Sequence, residues 1–236
     1  MLISKPFKKD QIIVALDVSS IDRAIALVEQ LPEVTFWKVG LELFTSSGAD
    51  IIRYLKVRGK KVFLDLKLHD IPNTVAATCK VLANYDVDFL TVHALGGREM
   101  LKAAQVEIQN SQTQLLAVTV LTSISSSALA TDLKIPLELT KYALELALMA
   151  QDCGISGSVC SPHELETLRS HLEPNFYLVT PGIRLADGIN YDQSRVMNPQ
   201  TAIALGASYL VIGRPITAAA DPIAAWQQIC EGLLSS

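Results

Sequence analysis

The sequence lacks several features that would assign it to a large class of proteins. Its 236 residues include four cysteines, and no two of them form a C-x-x-C pair. Four cysteines in a chain of this length do not make a disulfide scaffold, so reduced thiols are expected. No apolar run is long enough to span a bilayer, and the first ten residues carry lysines but no apolar signal core. We therefore expect a soluble, cytoplasmic protein.

An excess of positive charge and the common catalytic motifs are also absent. The chain has 20 basic and 24 acidic residues, and a net charge of −4 argues against nonspecific binding to nucleic acid or membrane. There is no H-E-x-x-H motif, no glycine-rich P-loop and no G-x-S-x-G motif. Metal chemistry and nucleoside-triphosphate chemistry therefore have little support.

What the sequence has is a regular alternation of apolar runs and helical patterns. Half of the residues are hydrophobic, which is enough for a sizeable core. The predicted strands are residues 12–16, 35–40, the run that begins at residue 62, and residues 87–93, 115–121, 155–160, 176–179 and 209–212. Eight such units favour a single α/β domain over residues 1–236, a closed (β/α)8 TIM barrel. A doubly wound open sheet is the alternative.

Two segments depart from this alternation. The Ser-rich residues 123–135 are predicted to be an insertion after strand five, with weak helical character. The polar residues 182–198 form a loop that is long for a compact domain, and long ordered loops often act as lids. We expect this loop to close over a bound phosphate group.

Three charges follow the third apolar run. On an extended backbone Asp65 and Lys67 point to the same face, because they are two residues apart. Asp70 lies where the chain must turn, and it is placed to cap a helix that Pro72 begins. Burial of a single charge is costly, whereas an alternating set can pair. A structural salt bridge that closes the strand is the alternative to a functional site.

The barrel interpretation allows these alternatives to be compared. Active sites in this fold lie where the C-terminal ends of the strands meet. The residues that fall at such predicted ends are Asp17, Lys38, Asp65, Lys67, Thr122, Pro181 and Arg214. A structural salt bridge would not gather so many polar residues on one rim of an apolar barrel, so a functional site is favoured.

A phosphate site is predicted on the same rim. Barrels commonly bind phosphate with the loops after strands seven and eight. Here these loops contain Arg184, Gln193, Arg195, Gly213 and Arg214. Gly213 lets backbone N–H groups approach an anion and Arg214 can donate two hydrogen bonds, so phosphate binding is favoured there. For Arg184 or Arg195 alone, a solvated surface charge is an equally good interpretation.

Residues 65–74, with the sequence DLKLHDIPNT, resemble the D-x-K-x-x-D-I-x-x-T signature of the orotidine 5'-phosphate decarboxylase family, of the class I bacterial type. Further similar segments occur in the same order at residues 15–17, 37–40, 92–94, 180–184 and 211–215. The resemblance covers nearly the whole chain, although D-x-K-x-x-D alone also occurs in related sugar-phosphate barrels.

The resemblance implies a cofactor-free reaction, the loss of CO2 from orotidine 5'-monophosphate to give uridine 5'-monophosphate in pyrimidine biosynthesis. It implies that Lys67 stabilises and protonates a carbanion at C6 of the pyrimidine, and that Asp65 and Asp70 hold the ammonium. It also implies a homodimer in which Asp70, Ile71 and Thr74 complete the partner's site. The full set of expected substrate-binding residues is Asp17, Lys38, Ile71, Thr74, Thr122, Pro181, Arg184, Gln193, Gly213 and Arg214.

Two rival functions remain open from the sequence. One is a metal-assisted sugar-phosphate decarboxylase or aldolase, but such enzymes usually place an acid at the end of strand two, where this chain has Lys38. The other is a barrel that binds a phosphate ligand without catalysis. A lysine between two acids argues against the second rival, because a binding protein has no need for a costly array of charges.

Overall fold

A computed structural model describes residues 8–184 and 197–234, and its eight parallel strands close into one barrel in the order β1 to β8. The strands are β1 (Ile12–Leu16), β2 (Phe36–Gly40), β3 (Lys61–Leu68), β4 (Phe89–His93), β5 (Gln114–Val118), β6 (Gly157–Val159), β7 (Tyr177–Thr180) and β8 (Tyr209–Ile212). Pairing of β1 with β8, in which Val14 lies opposite Ile212, closes the sheet. The predicted barrel is confirmed, and the open sheet is excluded.

Helices surround the barrel on its outer face. They are α1 (Ile21–Gln30), α2 (Leu41–Ser47), α3 (Asp50–Val57), α4 (Pro72–Ala83), α5 (Gly97–Ile108), α6 (Ser126–Thr131), α7 (Leu139–Asp152), α8 (Leu165–His171), α9 (Pro199–Ala204), α10 (Arg214–Thr217) and α11 (Pro222–Leu234). None of the helices in the described part of the chain is long and apolar enough to cross a membrane.

Some predicted boundaries were wrong for local reasons. Between β2 and β3 the chain forms two helices, α2 and α3, because Gly48 adopts a φ of +56° and ends α2. Strand five was predicted to reach residue 121 but ends at Val118. Its neighbour β6 has only three residues, so the pairing of the two strands ends with Val118 opposite Val159.

The two predicted exceptions to the alternation have different outcomes. The Ser-rich residues 123–135 contain α6, which Ser125 caps by accepting a hydrogen bond from the Ala128 N–H group. Of the predicted loop at 182–198, residues 185–196 lie outside the described residues. The base of this loop is fixed, since the Arg184 N–H donates to the Met197 carbonyl and the Met197 N–H donates to the Gly182 carbonyl.

The inside of the barrel is divided into an aromatic lower part and a charged upper part. Phe36, Phe63 and Phe89 belong to one buried cluster within the barrel, and the ring centroids of Phe36 and Phe89 are 5.4 Å apart. Lys38 lies two residues beyond Phe36 on β2, and Asp65 lies two residues beyond Phe63 on β3. Side chains alternate along a strand, so both charged groups share the inner face with the aromatic rings. The two charged groups therefore lie at the C-terminal rim, directly above the buried aromatic rings.

Candidate active site

A cavity of about 210 Å³ opens at the C-terminal ends of the strands. Nine of the residues predicted from the sequence line it: Asp17, Lys38, Asp65, Lys67, Thr122, Pro181, Arg184, Gly213 and Arg214. They come from β2, β3 and the segments that follow β1, β5, β7 and β8. Closure of the barrel therefore gathers side chains that are up to about two hundred residues apart in sequence.

Four charged side chains in this cavity form a row of alternating sign. The Lys38 ammonium donates to Asp17 Oδ1 at 2.8 Å and lies 3.8 Å from Asp65 Oδ2. The Lys67 ammonium donates to the same Asp65 oxygen at 2.8 Å. Lys38 and Asp65 are nearly buried, with 11% and 12% of their side chains exposed, whereas 32% of Lys67 is exposed. The buried pair thus anchors the row, and the Lys67 ammonium faces the open cavity.

Lys67 has an unusual backbone. Its φ is +51°, which is uncommon for a residue with a side chain. The register of β3 against β4 also changes here, since Leu64 lies opposite Leu90 but Leu68 lies opposite Val92. An advance of four residues along β3 therefore corresponds to an advance of only two residues along β4. Asp65 and Lys67 meet as predicted, but the extended backbone used to predict their contact is wrong at Lys67.

Sequence reasoning missed Thr91, which lies beneath this irregularity. Its hydroxyl accepts a hydrogen bond from the Lys67 N–H at 2.8 Å and donates to Asp65 Oδ1 at 3.1 Å. Thr91 is fully buried. The sequence did contain one indication of this role. Thr91 lies in the apolar run of β4, two residues beyond Phe89, and therefore on the inner face of the barrel.

A neutral histidine lies next to the charged row. The rings of His69 and His93 stack with centroids 5.1 Å apart. Burial lowers the pKa of His93 to about 4, and electrostatic interactions with His69 and Lys67 act in the same direction. His93 Nδ1 also accepts a weak hydrogen bond from the Leu95 N–H. His93 is therefore uncharged at neutral pH.

Asp70, Ile71 and Thr74 are not brought into the charged row of their own chain. All three are exposed, Ile71 by 66%. Asp70 accepts a hydrogen bond from the adjacent Ile71 N–H, and among the described residues the ion-pair partner of Lys67 is Asp65. The predicted cap was also wrong, because Ile71 is the N-cap of α4 and the helix starts at Pro72. The Asp70 side chain bends back to its neighbouring amide and does not reach into the helix.

At the predicted phosphate end of the cavity, a side chain at position 213 would be in close contact with residues that follow or belong to β1. A Cβ atom on Gly213 would lie 3.3 Å from the Ala15 Cβ and 3.6 Å from Asp17 Oδ2. Arg214 follows at once and begins α10. Arg184 also lines the cavity, and one of its guanidinium nitrogens donates to the Ile183 carbonyl. Gln193 and Arg195 lie outside the described residues, so their roles stay predictions.

Comparison with known proteins gives a consistent assignment. A sequence model of the orotidine 5'-phosphate decarboxylase / HUMPS family matches residues 10–229. An orotidine 5'-phosphate decarboxylase from Nostoc sp. is 55% identical over 95% of this chain and 97% of its own length. One from Gloeothece citriformis is 54% identical with the same coverage. The crystal structure of the Lactobacillus acidophilus enzyme of that name superposes with a TM-score of 0.84 at 40% identity, covering 95% of this chain and 99% of its own. The chain belongs to the orotidine 5'-phosphate decarboxylase family.

Proposed function

We propose that Lys67 stabilises and then protonates the carbanion that forms when this chain decarboxylates orotidine 5'-monophosphate to uridine 5'-monophosphate, a step of pyrimidine biosynthesis. The activity is that of the family to which the chain belongs. The roles of individual residues are our proposal. The observation that carries it is the Lys67 ammonium, which faces the cavity while Asp65 Oδ2 holds it at 2.8 Å.

The chemistry requires a cation at one defined position. When the bond from C6 to the carboxylate carbon breaks, CO2 leaves and its bonding electron pair stays on C6. A fixed ammonium lowers the energy of this carbanion as the charge develops, and a preorganised group does so without reorganisation during the reaction. Lys67 then transfers a proton from Nζ to C6, and the resulting amine recovers a proton from solvent. One residue thus supplies both the electrostatic stabilisation and the proton.

Asp65 has two parts in this scheme. It accepts the hydrogen bond that fixes Lys67, and it lies 3.8 Å from the second ammonium, that of Lys38. A carboxylate in this position also crowds the departing carboxylate of the substrate. Such ground-state destabilisation is contested as a source of rate enhancement, so we assign it the smaller share.

The remaining residues of the cavity bind the parts of the substrate that do not react. Arg214, the backbone at Gly213 and Arg184 receive the phosphate, because they lie after β7 and β8, where barrels commonly bind phosphate. Asp17 and Lys38 contact the ribose hydroxyls. Thr122 and Pro181 line the pyrimidine, and Gln193 is proposed to reach it from the loop at 182–198. This loop would then close over the phosphate as a lid.

A second copy of the chain completes the site. Asp70, Ile71 and Thr74 are exposed, and Ile71 is a large apolar side chain of which 66% is exposed. We propose a two-fold dimer that buries Ile71 and brings Asp70 of each chain to the Lys67 of the other. The Lys67 ammonium would then lie between two carboxylates, one from each chain.

We also propose that the chain works in the cytoplasm. All four cysteines, which are Cys79, Cys153, Cys160 and Cys230, are buried and unpaired. Burial raises the pKa of the Cys79 and Cys160 thiols to about 12, so neither is readily ionised. Unpaired thiols are typical of proteins in a reducing compartment.

The role of Lys67 is tested by following the ultraviolet absorbance of orotidine 5'-monophosphate with purified protein. Lys67→Ala should lower kcat by at least about 10²-fold, since a positioned proton donor alone contributes 10²–10⁴-fold. Binding of uridine 5'-monophosphate, measured by calorimetry, should be largely retained because the loss belongs to the transition state. Lys102→Ala, on the exposed face of α5, is the matched control and should behave as wild type. A Lys67→Ala enzyme with most of its turnover would refute Lys67 as the proton donor.

A further inference from the structure

We infer that the hydroxyl of Thr91 is a positioning group that fixes both the backbone of Lys67 and the carboxylate of Asp65. Thr91 is not among the residues that line the cavity, so it acts through these two neighbours. The inference rests on the proposed role of Lys67.

The hydrogen bonds around Thr91 form a closed ring. The Lys67 N–H donates to Thr91 Oγ1 at 2.8 Å, and Thr91 Oγ1 donates to Asp65 Oδ1 at 3.1 Å. The other carboxylate oxygen, Asp65 Oδ2, accepts from the Lys67 ammonium at 2.8 Å. The Thr91 hydroxyl therefore holds the backbone of Lys67, and the Asp65 carboxylate holds its side chain. The hydroxyl and the carboxylate are in turn bonded to each other.

The change of register explains why a hydroxyl is needed. Between the Leu64–Leu90 and Leu68–Val92 pairs, β3 has more residues than β4, so regular ladder bonding is interrupted. The Thr91 hydroxyl therefore serves as the hydrogen-bond acceptor for the Lys67 N–H. A buried amide without an acceptor is unfavourable, and the positive φ of Lys67 persists only where its surroundings hold it.

The chemistry of the two contacts restricts which side chains can replace threonine. The group at position 91 must accept from an N–H and donate to a carboxylate at the same time. A hydroxyl has one donor and two acceptor lone pairs, so serine retains both contacts. Valine has nearly the shape of threonine but neither contact. The pair of substitutions therefore separates the hydroxyl from the volume that it fills.

Loss of this hydroxyl should affect the reaction more than binding. Without it, the Lys67 backbone and Asp65 Oδ1 each lose a partner, and the ammonium is no longer held at one position over the cavity. A displacement of about 1 Å can cost on the order of 10²-fold in rate. The proposed phosphate contacts of Gly213 and Arg214 follow β8, which lies across the barrel from β4, the strand that carries Thr91.

The experiment compares kcat, KM and Tm of Thr91→Val and Thr91→Ser with those of wild type. Thr113→Val is the matched control. Thr113 is also buried, and its hydroxyl donates a hydrogen bond to the Val87 carbonyl at 2.8 Å, but the residue precedes β5 and so lies at the other end of the barrel. Thr91→Val should lower kcat about 10-fold to 100-fold and change KM little. Thr91→Ser should recover most of the kcat. Thr113→Val should lower Tm without lowering kcat.

Three results would overturn the inference. These are a wild-type kcat for Thr91→Val, a Thr91→Ser enzyme as slow as Thr91→Val, and an equal loss of kcat in Thr113→Val. If Thr91→Val does not fold, Thr91→Ala removes the hydroxyl without adding a methyl group beside Asp65 and replaces it in the comparison. Lys67→Ala separates this inference from the proposal on which it rests. A slow Lys67→Ala with a wild-type Thr91→Val refutes only the inference, whereas an active Lys67→Ala refutes the proposed function.

Discussion

The Asp70 carboxylate accepts a hydrogen bond from the Ile71 N–H and lies outside the charged row of its own barrel. The shared site therefore predicts a specific behaviour of mixed dimers. Each site should take Lys67 from one chain and Asp70 from the other. Lys67→Ala and Asp70→Ala homodimers should then both be severely impaired. A heterodimer of the two variants has one site with both lesions and one site with neither.

The size of the recovery follows from this count of sites. Each heterodimer should regain about half of the wild-type activity, because one of its two sites is intact. Random exchange at equal concentrations makes about half of all dimers heterodimers, so the mixture should approach about a quarter of the wild-type rate. If both residues served the same barrel, every heterodimer site would carry one lesion and mixing would restore nothing.

The assay follows decarboxylation after the two variants have been mixed under conditions that exchange subunits, with exchange confirmed by mass spectrometry of tagged chains. The control is the double variant Lys67→Ala, Asp70→Ala mixed with Asp70→Ala. This mixture has no site with both residues intact and should stay inactive. Confirmed exchange between the single variants without recovery of activity would refute the shared site, and it would leave the decarboxylase activity in place.

Three further predictions concern metal, phosphate and pH. Activity should survive exhaustive chelation, because Lys38 occupies the position where a metal-assisted relative would place its acid, and its ammonium pairs with the Asp17 and Asp65 carboxylates. Loss of activity with EDTA and its recovery with Mg²⁺ would favour the metal-assisted rival. Arg214→Ala should weaken binding of uridine 5'-monophosphate by about 1.5–3 kcal/mol, the range for a hydrogen bond to a charged group. It should leave binding of uridine unchanged, and equal losses for both ligands would argue against a phosphate contact. Stability should fall as the pH decreases from about 6.5 to about 4, because His93 stays neutral in the folded chain while the unfolded chain takes up a proton. The full shift corresponds to about 3 kcal/mol, and urea unfolding of wild type and His93→Gln across this range should show a shallower pH dependence in the variant.

The sequence alone determined the architecture and most of the candidate site. Strands that are apolar on both faces and alternate with helices can bury their surfaces only when helices cover the sheet, and eight such units close into a barrel. Because parallel strands point the same way, residues at their C-terminal ends must meet. Asp17, Lys38, Asp65 and Lys67 could therefore be placed in one cavity without any knowledge of the distances between them.

Tertiary structure alone decided the details that depend on how neighbouring strands are paired. The register change between β3 and β4 turns Lys67 into a left-handed conformation and makes Thr91 its partner. Neither is visible in the sequence, since threonine is common in strands and lysine rarely adopts a positive φ. The same holds for Asp70, whose contact with the Ile71 N–H replaces the predicted helix cap. Local pattern sets which face a residue prefers, but the pairing of two strands sets which hydrogen-bonding groups are left for side chains to satisfy.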